Sequence, residues 1–231
     1  MKKLVIAIDG PAASGKSTTA RLVAGRLGYL HVDTGAMYRA MTYKVLAAGI
    51  DPGETGRVAD LARETGITIS ETDGKAEVFL DGVDVGGRIR TPEVTRAVSQ
   101  VSSVAAVREL MVREQRRLAA TGGVVLEGRD IGTVVLPDAD VKIFLVADET
   151  ERARRRQREL REKDVEVTLD DLLGEIHERD RKDSSRDLSP LRRSEDAVEV
   201  DTSGLTVEGQ VERILEIVRV TLNRREHDAR G

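Results

Sequence analysis

Apolar positions along the chain follow two periods. Leu4–Ile8 is a short run of branched residues ending at a Gly-Pro turn, the pattern of a buried parallel strand. Over Lys16–Leu27, apolar or small residues recur at helical spacing (Ala20, Val23, Ala24, Leu27), and Gly28 stops the run. Leu30–Val32 predicts a second strand, and Met37, Ala40, Met41 and Leu46 place a helix over Ala36–Ala48. Further strands are predicted at Val124–Leu126, Val141–Val146 and Val198–Val200, with helices between that include Ser103–Ala120 and Val207–Leu222. Strands alternating with helices specify an α/β fold, a parallel sheet covered on both faces. One section breaks the rhythm: Thr68–Ser70, Glu77–Leu80 and Val83–Val85 are strand-like runs joined by Thr72-Asp73-Gly74 and Asp81-Gly82. Asp-Gly between alternating residues favours tight hairpins, so a small antiparallel sheet is predicted as an insertion. An insertion that the parent sheet does not need usually carries function. The polar residues from Arg224 to Gly231 are expected to form a frayed tail.

At 231 residues the chain fits one domain. Aromatics are only 2% and Trp is absent, so the core must rest on Val, Leu, Ile and Ala. A net charge of -4 argues against a general nucleic-acid binder, whose affinity comes from neutralising phosphates with excess positive charge. Eleven Arg nevertheless fall between Glu151 and Asp196, which suits a compact polyanion as partner. With no Cys, disulfides, thiolate metal sites and a Cys nucleophile are excluded. His31, His177 and His227 are scattered without ligand spacing. Asp9 interrupts the apolar N-terminal run before it could serve as a signal peptide, and no run approaches the roughly 20 apolar residues of a membrane span. A soluble, cytoplasmic, monomeric protein with no membrane partner is expected.

The strongest chemical signal is Gly10–Ser17, GPAASGKS, which matches G-x-x-x-x-G-K-S between a predicted strand and a predicted helix. Gly10 and Gly15 permit backbone angles that let the loop wrap a phosphate with its N–H groups, and the helix N-terminus adds partial positive charge. The ATP-binding loop is therefore read as Gly10, Pro11, Ala12, Ala13, Ser14, Gly15, Lys16, Ser17 and Thr18. Lys16 would reach the β and γ phosphates, and the Ser17 hydroxyl is placed to ligate Mg²⁺. A GTPase is excluded because no Asn- or Thr-Lys-x-Asp guanine reader occurs; the only Asn is Asn223. A P-loop ATPase stays open, since Val141–Val146 followed by Asp148-Glu149 imitates a strand ending in a metal-ligand and base pair.

Three clusters suggest an acceptor site. Asp33-Thr34-Gly35 precedes a helix carrying Tyr38-Arg39; Thr34 is read as the N-cap, and Arg39 is either a phosphate contact or a surface residue. Arg129-Asp130 follows a buried strand at its carboxyl end, where open α/β sheets bind ligands. The two could bind a phosphate and a base amine, or form a structural ion pair. In HERDRKDSSRD a helix would place Arg179, Asp183 and Arg186 on one face, either as ligand contacts or as a solvated charged face. The run Arg152, Arg154, Arg155, Arg156 and Arg158 is dense enough for a lid, because arginines closing over the phosphoryl group neutralise its charge and exclude water.

Together GPAASGKST, DTGAMYRA, RTPEVTRAVSQVSS, EGRDIGTVVLPDADVKIFLVA and ERDRKDSSRDLSPL resemble the bacterial cytidylate kinases, in order and from Lys2 to about Leu222. The resemblance implies a P-loop kinase with a five-stranded parallel sheet flanked by helices, a nucleoside monophosphate-binding insertion over about 36–102 and a lid over 152–166. It implies ATP with Mg²⁺ and CMP or dCMP as partners, with phosphoryl transfer between them. Carried over by position, Arg39 and Arg129 hold the acceptor phosphate, Ser99, Arg108 and Asp130 read cytosine, and Thr34 joins the CMP contacts. Arg179 and Asp183 contact the sugar, Arg186 lies near the transferring phosphates or base, and Arg152, Arg155 and Arg156 belong to the lid. Lys16, Arg129, Arg179 and Arg186 form the catalytic set. Some members carry Gly in place of Ser17 and Ser in place of Thr34. A related uridylate or metabolite kinase, or a nucleotide-binding regulator, are the other readings.

Overall fold

The computed structural model describes residues 3–72, 75–162, 164–186 and 188–228. In chain order the first elements are β1 (Val5–Asp9), α1 (Lys16–Leu27), β2 (Leu30–Asp33), α2 (Thr34–Ala47) and α3 (Thr55–Arg63). The insertion follows as β3 (Ile67–Thr72), β4 (Lys75–Leu80), β5 (Val83–Asp84) and α4 (Pro92–Val101). Then come α5 (Ala105–Ala119), β6 (Val124–Gly128), a π-turn (Ile131–Val135) and β7 (Val141–Val146). The chain finishes with α6 (Glu149–Arg161), α7 (Leu169–Ser184), β8 (Val198–Asp201) and α8 (Val207–Asp228).

The main sheet is parallel in the order β2-β6-β1-β7-β8, the predicted α/β arrangement. Its register brings the strand ends level: Asp9 lies opposite Gly128 and Phe144, and Asp33 opposite Glu127. Every strand's chemistry therefore opens on one carboxyl edge. Alternation along the strands feeds two cores. Ile6, Ile8, Val125 and Ile143 pack on α1 and α8 through Ala20, Val23, Val211 and Ile214. Ala7, Val32 and Leu126 face α2 and α5 through Met37, Met41, Val107 and Met111. Leu126 is fully buried, so Leu126→Ala would cost about 2–5 kcal/mol in transfer and cavity energy.

The inserted sheet, β3-β4-β5, is antiparallel and shares the second core through Ile69, Val78 and Leu80. Its Asp81-Gly82 hairpin holds both central residues at positive φ, 51° and 81°, the type I′ geometry that favours this dipeptide. The other predicted turn, Asp73-Gly74, lies outside the described residues.

The helices after the insertion and at the C-terminus differ from the sequence reading. The helix expected from Ser103 begins at Ala105 and is preceded by a separate α4. Between them the hydroxyls of Ser102 and Ser103 donate to the carbonyls of Ser99 and Gln100 at 3.0 and 2.7 Å, competing with helical bonding. The helix α4 had readable signals, a Thr91 cap accepting from the Val94 N–H and Pro92 in its first turn. At the C-terminus α8 continues to Asp228, through residues expected to fray. Among the described residues no helix is long and apolar enough to cross a membrane.

Candidate active site

The donor loop lies between β1 and α1 and is held by backbone geometry only Gly supplies easily. Gly10 sits at φ 150°, and a Cβ there would lie 2.2 Å from the Leu145 carbonyl oxygen. Gly15, at φ 91°, leaves room for the Gln210 side chain that also accepts from Thr19 at 2.8 Å. Lys16 is buried, with its ammonium donating to the Pro11 carbonyl at 2.6 Å and the Ser14 hydroxyl at 3.4 Å. Burial, then the Arg129 and Arg179 charges, push it well below the ordinary lysine range, while Glu127 and Asp9 pull it up. Ser17 and Thr18 are exposed at the start of α1.

Across the carboxyl edge from Lys16 stand three arginines, and they feel one another. Arg39 on α2 is lowered by burial and by the neighbouring Arg90 and Arg129 cations, against the pull of Asp33. Arg179 on α7 is lowered to about 10 by burial and by Arg129, Arg39 and Arg156, against the pull of Asp183. Its Nε is buried with no hydrogen-bond partner among the described residues. Cations packed so that each disfavours the others' charge make a site that an anion relieves.

Asp183, 2% exposed, organises this cluster. It accepts from Arg129 Nε at 2.8 Å and from Arg186 at 2.5 Å. Burial would raise its carboxyl, but the Arg129 and Arg186 charges outweigh that and hold it below the usual range. The shared helical face predicted for Arg179, Asp183 and Arg186 is corrected here: α7 stops at Ser184, and Arg186 reaches Asp183 from beyond the helix end.

Arg129 and Asp130, adjacent in sequence, do not pair with each other. Asp130 accepts through Oδ2 from Arg108 of α5, and the pair is buried. Arg108 also lies 5.7 Å from the centre of the Tyr38 ring, whose buried hydroxyl has no partner among the described residues. Ser99 is half-buried on α4. The N-cap expectation for Thr34 is also corrected. Asp33 is the cap, accepting from the Ala36 N–H at 2.9 Å and from Arg90 at 3.0 Å. The Thr34 hydroxyl is buried and donates to the Glu127 carbonyl at 2.7 Å, tying α2 to β6.

The Arg-rich helix α6 meets the donor loop directly. Arg152 is buried, donating to the Ala12 carbonyl at 3.2 Å and to Asp180 at 2.5 Å. Arg155 donates to the Ser14 carbonyl at 3.3 Å and to the Thr202 carbonyl at 2.6 Å. Arg156 is more exposed and pairs with Glu159 at 3.1 Å. Asp148 caps α6 by accepting from the Thr150 and Glu151 N–H groups, so its carboxylate heads a helix.

Several residues of this edge escaped the sequence reading. Asp9 was seen only as the charge ending an apolar run, yet its buried carboxylate accepts from the Ile131 and Gly132 N–H groups at 2.8 and 2.7 Å. Glu127 is 4% exposed, and its Oε1 makes no hydrogen bond among the described residues, though it lies 3.5 Å from His31 Nε2. A carboxylate directly after a predicted buried strand, at the edge where open α/β sheets bind ligands, was the available signal for both.

Residues 6–220 match the protein family described as "Cytidylate kinase". Relatives carrying that name include one from Caldicellulosiruptor bescii, 48% identical over 94% of this chain and 96% of its own. Another, from Bacillus subtilis, is 48% identical over 94% of this chain and 97% of its own. A third, from Limosilactobacillus reuteri, is 49% identical over 95% and 97%. A solved structure of an uncharacterized protein from Eubacterium ventriosum aligns at TM-score 0.53 and 12% identity, covering 94% of this chain and 99% of that one, a likeness of fold alone.

Proposed function

The chain belongs to the cytidylate kinase family, and we propose that it moves the γ-phosphoryl group of ATP to CMP or dCMP through the residues gathered at the sheet's carboxyl edge. The observation that carries the assignment of roles is the buried Arg108–Asp130 pair beside the Arg39, Arg129 and Arg179 cluster. An anion site and a donor–acceptor pair side by side suit a phosphate and a base joined by a sugar.

Cytosine offers an amine at position 4 and an acceptor at N3, whereas uracil reverses both. A carboxylate accepts from the amine and repels uracil's carbonyl, while a guanidinium donates to N3 and O2. Asp130 Oδ1 makes no hydrogen bond among the described residues and is the oxygen assigned to the amine. Ser99, whose hydroxyl rotates, completes the base site. Arg39 and Arg129 hold the acceptor phosphate, and Arg179 and Asp183 meet the sugar. Each Asp183 oxygen already accepts from an arginine and keeps a second lone pair for a ribose hydroxyl.

The attacking group is an oxygen of the acceptor phosphate, already nucleophilic, so no general base is required. Its bond to the γ-phosphorus forms as the bond to the β–γ bridging oxygen breaks, and ADP leaves with that oxygen. The protein contributes positioning and charge. Lys16 leaves the Pro11 carbonyl for the β and γ phosphates, and Arg179 and Arg186 balance charge on the transferring group. Because α6 ties Arg152 and Arg155 to the donor loop, Arg156 is the lid arginine left to close on the phosphates. Its charge is already felt by Arg179. The 36–102 insertion, which carries Arg90 and Ser99, frames the nucleoside.

Mg²⁺ fits this donor set. Among the described residues no group of three or more His, Cys, Asp or Glu could cage a metal alone. Mg²⁺ is usually shared between phosphates and one or two protein oxygens. The exposed Ser17 hydroxyl and the unpartnered Glu127 Oε1 are oxygens of that kind. When bound, the cation supplies charge neutralisation on the nucleotide phosphates.

Asp130→Asn tests the reading. Each unmatched buried polar group costs about 1–3 kcal/mol, so kcat/KM should fall about 5- to 150-fold for CMP and by much less for UMP. An equal loss on both nucleotides would mean that cytosine is read elsewhere.

A further inference from the structure

The Ile131–Val135 turn begins with N–H groups that a helical turn leaves without internal partners. The residue at its N-cap position is Asp130, one of the best side chains for filling them. Yet only the Asp130 carbonyl bonds its own turn, accepting from the Val134 and Val135 N–H groups, while its carboxylate makes no capping bond and is turned away to Arg108. The oxygens come instead from another strand. Asp9, 4% exposed at the end of β1, accepts from the Ile131 N–H at 2.8 Å and the Gly132 N–H at 2.7 Å. The far end of the turn is fastened separately, by Arg116 donating to the carbonyls of Val134 and Val135 at 2.9 Å each. Gly132 makes room for the arrangement, since a Cβ there would come within 3.4 Å of Asp9 Oδ2 and 3.3 Å of the Lys142 side chain.

We propose that Asp9 is a positioning residue for base selection: by capping the Ile131–Val135 turn from β1, it frees the Asp130 carboxylate to pair with Arg108 and meet the base. The inference rests on the role assigned to Asp130 above. Without the Asp9 carboxylate, the Gly132 N–H stands open at the second position of the turn, where an N-cap aspartate ordinarily accepts, and Asp130 returns to it. The like charges of Asp9 and Asp130 also hold Asp130 outward. Burial raises the Asp9 carboxyl to about 6, against the two N–H bonds and Lys16, so the group is ionised at pH 8.

The test is a double-mutant cycle on base discrimination at pH 8, where both Asp9 and the CMP phosphate are ionised. The ratio of kcat/KM for CMP to that for UMP, and KM for ATP, are measured for wild type, Asp9→Asn, Asp130→Asn and the double variant. In the wild-type geometry each N–H meets a different oxygen, and an amide nitrogen cannot accept, so Asn keeps one of the two bonds there. Asp9→Asn should lower the CMP/UMP ratio about fivefold or more, the worth of one hydrogen bond, with KM for ATP within about twofold. In the Asp130→Asn background it should change the ratio no further. Equal losses on CMP and UMP, or an undiminished effect in that background, would overturn the proposal. If Asp130→Asn by itself leaves the ratio unchanged, the reading of Asp130 has failed, and the inference with it. Should Asp9→Asn not fold, Gly132→Ala presses on the same bond with both carboxylates intact. A smaller drop in the ratio is expected there, and an unchanged ratio would count against the proposal.

Discussion

Removing the Asp183 charge isolates what holds the cation cluster together. In wild type this carboxylate, 2% exposed, accepts from Arg129 at 2.8 Å and from Arg186 at 2.5 Å, with Arg179 close enough to feel its charge. Asp183→Asn keeps the shape and leaves three guanidiniums without their counter-charge. Breaking a buried ion pair costs about 3–5 kcal/mol. Here Asn still accepts a hydrogen bond, and the Arg129 side chain is 20% exposed and keeps some water, so about 2–3 kcal/mol is expected. For a chain of this size that lowers Tm by about 5–10 °C. Pyrophosphate supplies the missing negative charge, so it should bind the variant's cluster more tightly than the wild type's and narrow the gap. The pH dependence has a definite sign. The Asp183 carboxyl lies below its ordinary 3.8 in the fold, so its stabilisation is complete above that pH and is lost as pH falls further. The difference between wild type and variant should therefore shrink below about pH 4. Scanning calorimetry of both proteins, with and without pyrophosphate, measures all of this. A variant that melts within about 1 °C of wild type at neutral pH would refute the claim that Asp183 compensates the cluster.

Lys16→Met should leave the fold intact, as circular dichroism would show, and lower kcat by about 10²-fold or more; a near-normal kcat would remove Lys16 from the phosphate cradle. Glu149 lies on the exposed first turn of α6 beyond its Asp148 cap, so Glu149→Gln should keep kcat within about threefold, whereas a dead enzyme would restore the ATPase reading. Asp9 is perturbed in the opposite direction from Asp183. Its carboxyl is raised from 3.8 to about 6 in the fold, so wild type should lose stability as pH rises from about 4 to 6, by up to about 3 kcal/mol, and stay level above. Melting curves of Asp9→Asn across that range should lack this slope.

Much of this architecture could be read from the chain because hydrophobic period and turn chemistry agreed. Strand β7 and helix α1 fall at the predicted residues, since a branched apolar run bounded by polar positions and a Gly-stopped helix leave little choice. Thr34 shows where local reading fails. Thr and Asp both cap helices well, and tertiary contact decided between them: the Thr34 hydroxyl was needed at the Glu127 carbonyl, leaving Asp33 to cap. The partners of Arg129 and Asp130 were illegible for a related reason. Each found its opposite charge on a distant helix, Asp183 on α7 and Arg108 on α5, and spacing along the chain carries no record of that. Asp9 was hidden because a strand-end carboxylate looks like a boundary until the turn beside it is placed.

The most direct test of the account is the reaction itself. Purified protein with ATP and Mg²⁺ is offered CMP, dCMP, UMP or AMP in turn, and products are followed by ³¹P NMR alongside ADP release. The account predicts CDP and dCDP appearing one for one with ADP, and a kcat/KM for CMP above that for UMP. ADP accumulating with inorganic phosphate and no CDP, or UMP used as well as CMP, would contradict it.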